Sequence, residues 1–414
     1  MALVLHVLPF AVRPALIGGD EPHYALMAHS LANGGDVDLT DAYQAVAEGS
    51  KAAGRAFSGR VLERHVREWR DRVVFSHPLG LPALAAPLLW LKDRAWSSAP
   101  PDLIQGAMSL ATTFAALVAG VYLMVRIGAG RPGIAAVLAL YFSTPLWYYS
   151  RTFFTEPYLW ALPVLSLWAL ARERWALAAG VLGVVVLVKE SAVLTVAVIL
   201  LGVLVVRGWR RATAIAAGPA VAGLVFLAKN VLVYGEPVVT SQAFRLGTPL
   251  EGLVGVLLDP IHGLAPFAPL AMVTLVTWPW AVSRSKTRVS SHVGAAAIAA
   301  AWLALTASWV DWSGGSCYGP RLLVPLLPAL VVPLGDAWSR ATRERRLAVV
   351  LATAFGVGFA VQWCAAVDPF TAFWSISITD LLGSRPWATA SGLAIGLAGG
   401  WFLVRWAAME PRAT

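Results

Sequence analysis

The chain has 414 residues, of which 58% are hydrophobic and only 13% are charged, and its mean hydropathy is +0.67. This polar content is too low to cover the surface of a water-soluble domain, so the composition predicts that lipid surrounds most of the chain. The net charge of +9 would suit a polyanionic partner, but the placement of the charges along the chain argues against one.

Long apolar runs predict an all-α polytopic membrane protein, because each membrane-spanning helix needs roughly 20 apolar residues. Counting the runs between charged or Pro/Gly breaks gives about 11–13 transmembrane helices. The predicted spans are 1–17, 101–125, 132–150, 157–171, 175–188, 191–206, 212–234, 261–282, 291–310, 322–338, 347–366 and 388–404. The first run lacks a basic leader and a clear cleavage site, so we interpret it as a retained span rather than a signal peptide.

Basic residues concentrate in every second connection between the predicted spans. One set of connections carries fourteen Lys/Arg against two acids: 126–131, 172–174, 207–211, 284–288 and 340–346. The other set carries five Lys/Arg against eight acids: 151–156, 189–190, 235–260, 311–321 and 367–387. Because cytoplasmic loops carry the excess of Lys/Arg, the first set is predicted to be cytoplasmic and the second set external. Net basicity therefore reflects topology in an inner (plasma) membrane, and we expect no nucleic-acid partner.

Residues 18–100 form the longest polar stretch, and we interpret them as an outer first loop with interfacial helices. Asp20 or Glu21 can cap a helix that begins at Pro22, and Asn33-Gly34-Gly35 is a typical stop signal. We expect the apolar side chains of this helix to lie on the membrane surface, namely Tyr24, Leu26, Met27 and Leu31.

A second helix is predicted over Val61–Val74, where arginines recur at 64, 67, 70 and 72. These arginines suit either a solvated helix face or a contact with phosphate or lipid headgroups. The apolar run 83–91 is short for a span and indicates a re-entrant or interfacial segment.

Acidic side chains stand at two outer helix starts, where charge beside a membrane is costly and rarely idle. Asp20 and Glu21 are interpreted as helix caps or as the source of a general base that deprotonates an acceptor hydroxyl. Glu156 precedes Pro157, so it too can cap a helix. Alternatively, it binds the acceptor, shares a proton with the first carboxylates or pairs with Arg151.

Three further polar positions are candidates for binding a phosphate. Lys189-Glu190 interrupts an apolar stretch. The two charges either neutralise each other, or the lysine contacts a lipid phosphate. The apolar segments on either side are either two separate helices or one broken helix. Arg321 opens a helix, where it can hold a phosphate bidentately or extend to the interface. His262 can contact phosphate or cap a helix.

The segment 312–321 is rich in glycine and aromatic residues. Its glycines permit positive φ and close backbone approach, and Tyr318 is a candidate substrate contact. Cys317 and Cys364 lie near the outer ends of different helices. A disulfide between them is one alternative, and two cysteines alone form no metal-binding motif. The chain has no HExxH, Walker or GxSxG motif, so zinc-site, ATPase and hydrolase interpretations have no support.

The segment Gly-Asp-Glu-Pro-His-Tyr-Ala at 19–25 resembles the first-loop motif of the GT-C membrane glycosyltransferases. More narrowly, it is similar to the protein O-mannosyltransferase and aminoarabinose-transferase-like group, that is, to bacterial glycosyltransferase family 39. Three further segments agree with this resemblance in chain order: 155–157, 259–264 and 314–321. The resemblance covers most of the chain, and the first motif is the most specific.

This resemblance implies a single GT-C-like transmembrane domain over 1–414. We expect no soluble C-terminal domain, because the chain ends about ten residues after its last predicted span, and this departs from the family. It implies an enzyme that moves a sugar from a polyprenyl-phosphate donor to a glycan, lipid or protein hydroxyl outside the membrane. Asp20 matches the catalytic acid of the first loop, and Glu156 matches the second acidic site. Many members carry a soluble C-terminal domain, and many have a double proline where this chain has 77–79, so the acceptor stays open.

By this hypothesis the transfer is an inverting displacement with Asp20 as base. Arg321, Lys189 or Arg64 would meet the charge of the leaving polyprenyl phosphate. No cofactor is required, a divalent cation is optional, and the isoprenoid tail would lie between helices among membrane lipid. The alternatives are a transporter or flippase of lipid-linked sugars and a non-catalytic scaffold. Because the charges cluster at helix ends, the enzyme is favoured.

Overall fold

A computed structural model describes residues 2–12, 18–47, 66–69, 72–96, 101–239, 244–282, 288–374 and 376–409. The elements of the first half are α1 Ala2–Val12, α2 Glu21–Asn33, α3 Thr40–Ala47, β1 Val66–Trp69, β2 Arg72–Phe75, α4 Gly80–Ala95, α5 Pro101–Arg126, α6 Gly130–Phe142, α7 Pro145–Tyr149, α8 Glu156–Ala171, α9 Trp175–Val188, α10 Val193–Arg207 and α11 Trp209–Tyr234. Those of the second half are α12 Pro249–Leu258, α13 Leu264–Phe267, α14 Pro269–Val282, α15 Val289–Ser308, α16 Val331–Ala341, α17 Arg345–Val367, α18 Pro369–Phe373, α19 Ile378–Ser384 and α20 Pro386–Ala408. Among the described residues there are also two 3-10 helices, Glu190–Ala192 and Arg321–Leu330.

The predicted all-α polytopic membrane fold is confirmed. Within the described residues, seven helical stretches are long and apolar enough to cross a membrane: Leu103–Arg126, Glu190–Arg207, Trp209–Tyr234, Val289–Ser308, Arg321–Ala341, Arg345–Val367 and Pro386–Ala408. The predicted spans 132–150, 175–188 and 261–282 fall on shorter apolar helices, which are α6, α9 and α14. The chain is therefore a multi-pass membrane protein.

The helix predicted over 61–74 is wrong for the residues that the structure describes there. Strands β1 and β2 form an antiparallel hairpin, in which Val66 lies opposite Phe75 and Trp69 lies opposite Arg72. These strands are rich in β-branched and aromatic residues, which favour a pleated strand over a helix. Arg64 and Arg70 lie outside the described residues.

The chain divides into two compact units. The first-loop unit comprises Arg13–Thr113 and Arg151–Ala243, and the C-terminal unit comprises Met1–Val12, Phe114–Ser150 and Phe244–Thr414. In the first-loop unit, α2 packs on α4, α8 packs on α9, and α9 packs on α11. In the C-terminal unit, α17 packs along α20, and α16 packs on α6 and α14.

Helix α2 begins and ends where the sequence predicts. Pro22 lies in its first turn, and the backbone N–H of Gly34 bonds to the Ser30 carbonyl at its end. Tyr24 and Met27 are fully buried, as is Leu26, so the expectation that these three side chains lie on the membrane surface is wrong. Helix α4 packs on α2 instead, and Phe75 of strand β2 packs on the Tyr24 ring.

The interruption at Lys189 separates two helices. Helix α9 ends at Val188, Lys189 adopts an extended conformation (φ −156°, ψ 128°), and the Glu190–Ala192 turn leads into α10. Gly80 at the start of α4 lies against this break, since a Cβ there would come within 2.3 Å of the Leu187 carbonyl carbon. Only glycine fits this approach without a shift of backbone.

Candidate active site

Glu21 is held at both carboxylate oxygens by backbone donors of the first-loop unit. The N–H of Gly18 donates to Oε2 (3.1 Å), and the N–H of Phe153 donates to Oε1. The side chain is only 3% exposed. Because these bonds join the first loop to the segment before α8, Glu21 acts as a clamp between two distant parts of the sequence.

Asp20 occupies the position immediately before α2, yet its side chain makes no capping hydrogen bond to this helix. It is buried, with 8% of its surface exposed. The capping interpretation of Asp20 therefore has no geometric support. Its neighbour Glu21 accepts a backbone hydrogen bond at each carboxylate oxygen.

The segment from Arg151 to Glu156 is buried throughout, although it is polar. Ser109 on α5 donates to the Thr152 carbonyl oxygen (2.7 Å) and contacts the Tyr158 hydroxyl (2.9 Å). Glu156 is the first residue of α8, followed by a proline in the first turn. The Thr155 hydroxyl donates to Glu156 Oε2 (3.5 Å). These bonds fix the main chain that also meets Glu21.

An aromatic group encloses the start of α2 within the first-loop unit. The Tyr24 ring meets Phe75 at 5.5 Å, His77 at 5.1 Å and Phe153 at 6.4 Å between centroids. The Tyr24 hydroxyl and His77 Nδ1 lie 3.4 Å apart. The Tyr234 hydroxyl of α11 donates to the Phe75 carbonyl, so four segments of the chain converge here. Asp20 and Glu21 therefore stand at the start of a helix whose first turn packs among aromatic side chains.

Lys189 belongs to the same unit. Gly80 touches the backbone of Leu187, so the start of α4 meets the end of α9. His77 precedes Gly80 by three residues, and Lys189 directly follows α9. The structure thus gathers the candidates Asp20, Glu21, Arg151, Glu156 and Lys189 in one compact unit.

In the C-terminal unit, the turn 259–263 holds His262. Asp259 Oδ1 accepts from the N–H groups of Ile261 (2.8 Å) and His262 (2.7 Å), and it lies 3.6 Å from His262 Nδ1. Burial lowers the pKa of His262, while the carboxylate of Asp259 and a backbone hydrogen bond to Gly315 oppose this effect. His262 therefore favours its neutral form, in which one ring nitrogen accepts and the other donates.

The glycine-rich turn adopts the backbone that the sequence predicts. Gly314, Gly315 and Gly319 have φ values of +76°, +74° and +53°. A Cβ at Gly319 would come within 2.9 Å of the Phe267 ring. The turn therefore requires glycine both for its dihedral angles and for its contact with α13.

Tyr318 anchors this turn. Its ring packs on Tyr148 (4.1 Å between centroids) and Phe267 (5.3 Å), and its hydroxyl donates to Gln362 Oε1 (3.1 Å). The Tyr149 hydroxyl donates to the Tyr318 carbonyl oxygen (2.8 Å), and the Tyr318 side chain is 1% exposed. Tyr318 is thus a buried support of the turn.

Arg321 follows at the first position of the 3-10 helix, as predicted, and is 7% exposed. Its N–H donates to the Gly319 carbonyl oxygen (2.8 Å). Cys317 and Cys364 are both buried, and they form no disulfide. The C-terminal unit thus gathers the candidates His262, Tyr318 and Arg321.

Several site residues were not assigned by the sequence. His77, Phe153 and Gln362 each join segments that are far apart in the chain, and no local pattern marks such partners. His23 lies within the first motif and contacts the Tyr43 hydroxyl at 2.5 Å. Its position in the motif was the one available signal. Within the described residues, no three His, Cys, Asp or Glu side chains are grouped to hold a metal ion.

These features define a multi-pass α-helical membrane protein with buried carboxylates at the start of α2. Neither a protein-family profile nor a curated protein matches the chain. Among solved structures, ArnT from Cupriavidus metallidurans in the apo state is similar over 98% of this chain and 74% of ArnT, with a TM-score of 0.51 and 16% identity. At this identity the likeness concerns the fold. The ArnT-like fold implied by the resemblance is thereby confirmed.

Proposed function

We propose that the protein is a membrane glycosyltransferase that moves a sugar from a polyprenyl-phosphate donor to a hydroxyl acceptor. The ArnT-like fold supports this class of reaction. The observation that carries the proposal is the burial of both first-loop carboxylates at the start of α2, in the segment that resembles the GT-C first-loop motif. Glu21 accepts two backbone N–H groups, which hold its side chain in place. Asp20 is the proposed general base, because it is the residue that matches the catalytic acid of that motif.

The proposed step is a direct displacement. The acceptor oxygen forms a bond to the anomeric carbon, its proton passes to the Asp20 carboxylate, and the bond from the anomeric carbon to the phosphate oxygen breaks. The electron pair leaves with polyprenyl phosphate. A single displacement inverts the configuration at the anomeric carbon, and it needs no covalent intermediate.

Lys189 is the proposed cation for the phosphate within the first-loop unit. Its extended backbone between α9 and α10 places an ammonium group at a helix break rather than within a helix. A cation positioned at a developing phosphate charge stabilises the transition state. Arg321 and His262 form a second candidate phosphate-binding group in the C-terminal unit, to be tested separately. Glu156 is the proposed acceptor-binding carboxylate, and Arg151 is its proposed partner.

We further propose that transfer takes place on the outer face of the membrane. The alternation of basic and acidic connections supports this orientation. The acceptor is a glycan, lipid or protein hydroxyl, and the donor's isoprenoid lies against the apolar helices. We propose that the whole chain acts as one transmembrane domain and needs no organic cofactor, with a divalent cation optional.

The test is sugar transfer by the purified protein, with a panel of radiolabelled polyprenyl-phosphate sugars and a crude envelope acceptor. The expected result is labelled product from at least one donor, with the anomeric configuration inverted relative to that donor. A parallel assay follows movement of the donor across reconstituted vesicles. Translocation without transfer from any donor would contradict the proposal and favour the flippase.

A further inference from the structure

Two turns between helices of the first-loop unit carry a concentrated group of arginines and tryptophans. One turn joins α8 to α9 and the other joins α10 to α11. We call them together the arginine–tryptophan cluster, which comprises Trp168, Arg172, Glu173, Arg174, Trp175, Arg207, Trp209, Arg210 and Arg211. Five arginines stand against one glutamate, so the cluster is strongly cationic.

The two turns lie side by side. Arg207 Nη1 is 3.9 Å from Glu173 Oε1, and the Arg211 guanidinium lies 4.8 Å from the centre of the Trp175 ring. Each contact joins one turn to the other. Arginines of both turns therefore face the same patch of surface.

Tryptophans orient two further guanidinium groups. Arg174 lies over Trp168 and Arg210 lies over Trp209, each at 5.6 Å. Stacking on an aromatic face holds a planar guanidinium while its N–H groups stay available at the edge. Such an edge matches the oxygens of a phosphate bidentately.

The backbone at Glu173 has an uncommon conformation that directs its side chain to the neighbouring turn. Its φ of +57° is the one positive value at a non-glycine residue in the described part of the chain. Glycine or asparagine usually occupies this position at a helix end. Here a glutamate takes it, and its carboxylate faces Arg207 of the neighbouring turn.

The cluster lies where two membrane-spanning helices meet water. Glu190–Arg207 and Trp209–Tyr234 are both long and apolar enough to cross a membrane, and they end and begin at this turn. Val205 and Val206 are exposed immediately before the arginines, as is Leu204. An anionic headgroup on the arginines would therefore have acyl chains beside an exposed apolar surface.

We propose that the arginine–tryptophan cluster binds an anionic phospholipid, with the phosphate on the guanidinium groups and the acyl chains along α10. The exposed apolar surface favours a lipid over a soluble phosphate, and the charge favours an anionic over a zwitterionic lipid. This site is independent of the proposed transfer reaction, because none of its residues has been assigned a role in that reaction.

Native mass spectrometry of the full-length protein tests the proposal, with phosphatidylglycerol and phosphatidylcholine of identical acyl chains as probes. The cluster variant is Arg174→Gln/Arg210→Gln/Arg211→Gln. The matched control is Arg343→Gln/Arg345→Gln/Arg346→Gln, which removes the same charge from exposed arginines near the start of α17. Both variants are compared with wild type at equal lipid concentration.

An arginine near an anionic lipid surface contributes about fivefold in affinity. The cluster variant should therefore lose at least about tenfold of its phosphatidylglycerol affinity, while the control should change less than about twofold. A Trp175→Leu variant keeps all charges and should lose a few-fold, because Arg211 then lacks its platform. If the triple variant does not fold, Arg211→Gln alone should lose about fivefold.

Three results would overturn the proposal. Equal losses in the cluster and control variants would indicate diffuse attraction by net charge. Equal affinity of the wild-type protein for phosphatidylglycerol and phosphatidylcholine would show that the cluster does not prefer anionic lipids. Displacement of bound phosphatidylglycerol by millimolar glycerol 3-phosphate would indicate a soluble phosphate site instead of a lipid site.

Discussion

At the scale of single residues, the two first-loop carboxylates are assigned separate tasks. Glu21 joins Gly18 to Phe153 through backbone hydrogen bonds, and it is buried. Because a buried carboxylate that accepts two backbone hydrogen bonds holds two segments together, we assign Glu21 a structural task. Asp20, whose side chain does not cap the helix, is the base in the transfer that we propose.

Glu21→Gln should destabilise the protein. The amide presents one N–H₂ group where the carboxylate accepted a hydrogen bond, so one buried backbone donor loses its partner at a cost of about 1–3 kcal/mol. Scanning fluorimetry in detergent should show a lower melting temperature than wild type. An unchanged melting temperature would contradict the clamp.

Local sequence signals predict some features of these residues and miss others. The start and stop of α2 follow from Pro22 and Gly34-Gly35, which are local signals, and both were predictable. The clamp made by Glu21 was not predictable. It depends on the backbone of Phe153, which lies 132 residues away from Glu21.

At the scale of elements, α17 and α20 pack through glycines. A Cβ at Gly396 would come within 2.7 Å of the Gly356 carbonyl oxygen, so the two backbones are in direct contact. Small residues permit such approaches between helices in membranes.

Gly396→Leu should therefore force the pair apart and destabilise the protein by about 1–3 kcal/mol or more. Gly202→Leu on α10 is the matched control, because nothing lies within 4 Å of a Cβ at that position. The melting temperature should fall for the first variant and stay near wild type for the second. Equal behaviour of the two would contradict the packing.

The Asp368 carboxylate joins the end of α17 to the start of α20. Burial alone would raise the pKa of Asp368, but hydrogen bonds from the Thr371 N–H and from Arg385 hold this pKa below its ordinary value. The Arg385 Nε to Asp368 Oδ2 distance is 3.1 Å. A lowered folded-state pKa contributes stability above the ordinary value of about 4, and this contribution is lost as pH falls through the folded-state pKa.

Acidification should consequently lower the melting temperature of wild type more than that of Asp368→Asn, which has no proton to gain. The comparison is a pair of fluorimetry series from pH 7 to pH 3. At pH 7 the variant should be the less stable of the two. Parallel series would show that Asp368 makes no pH-dependent contribution.

The hairpin β1–β2 shows where element prediction failed. Arginines at regular spacing suggested a helix, whereas Val66, Val73, Val74 and Phe75 favour strands. Short segments of this kind are decided by their partners. Here Phe75 packs on Tyr24 and its carbonyl receives the Tyr234 hydroxyl, and neither contact is visible in the local sequence.

At the scale of the whole molecule, hydropathy was sufficient to predict a polytopic helical membrane protein. The lengths of individual spans were less accessible, because proline and glycine break several of them. The interruption at Lys189 is an example: the sequence marked its position, and the backbone at that residue decides between one helix and two.

The predicted orientation can be tested by cysteine labelling in intact cells. The native Cys317 and Cys364 are buried, so background labelling should be low. A membrane-impermeant maleimide should label Asp41→Cys directly, but Arg343→Cys only after permeabilisation, because basic connections face the cytoplasm. The reverse pattern would contradict the orientation.

The central claim is that Asp20, and not its neighbour, serves as the base for sugar transfer. The most direct measurement compares transfer rates of Asp20→Asn and Glu21→Gln, each normalised to folded protein. The account predicts that Asp20→Asn keeps its melting temperature and still binds donor, yet loses roughly 10²–10⁴-fold in rate, while folded Glu21→Gln stays within about tenfold of wild type. Unchanged transfer in Asp20→Asn would contradict the claim.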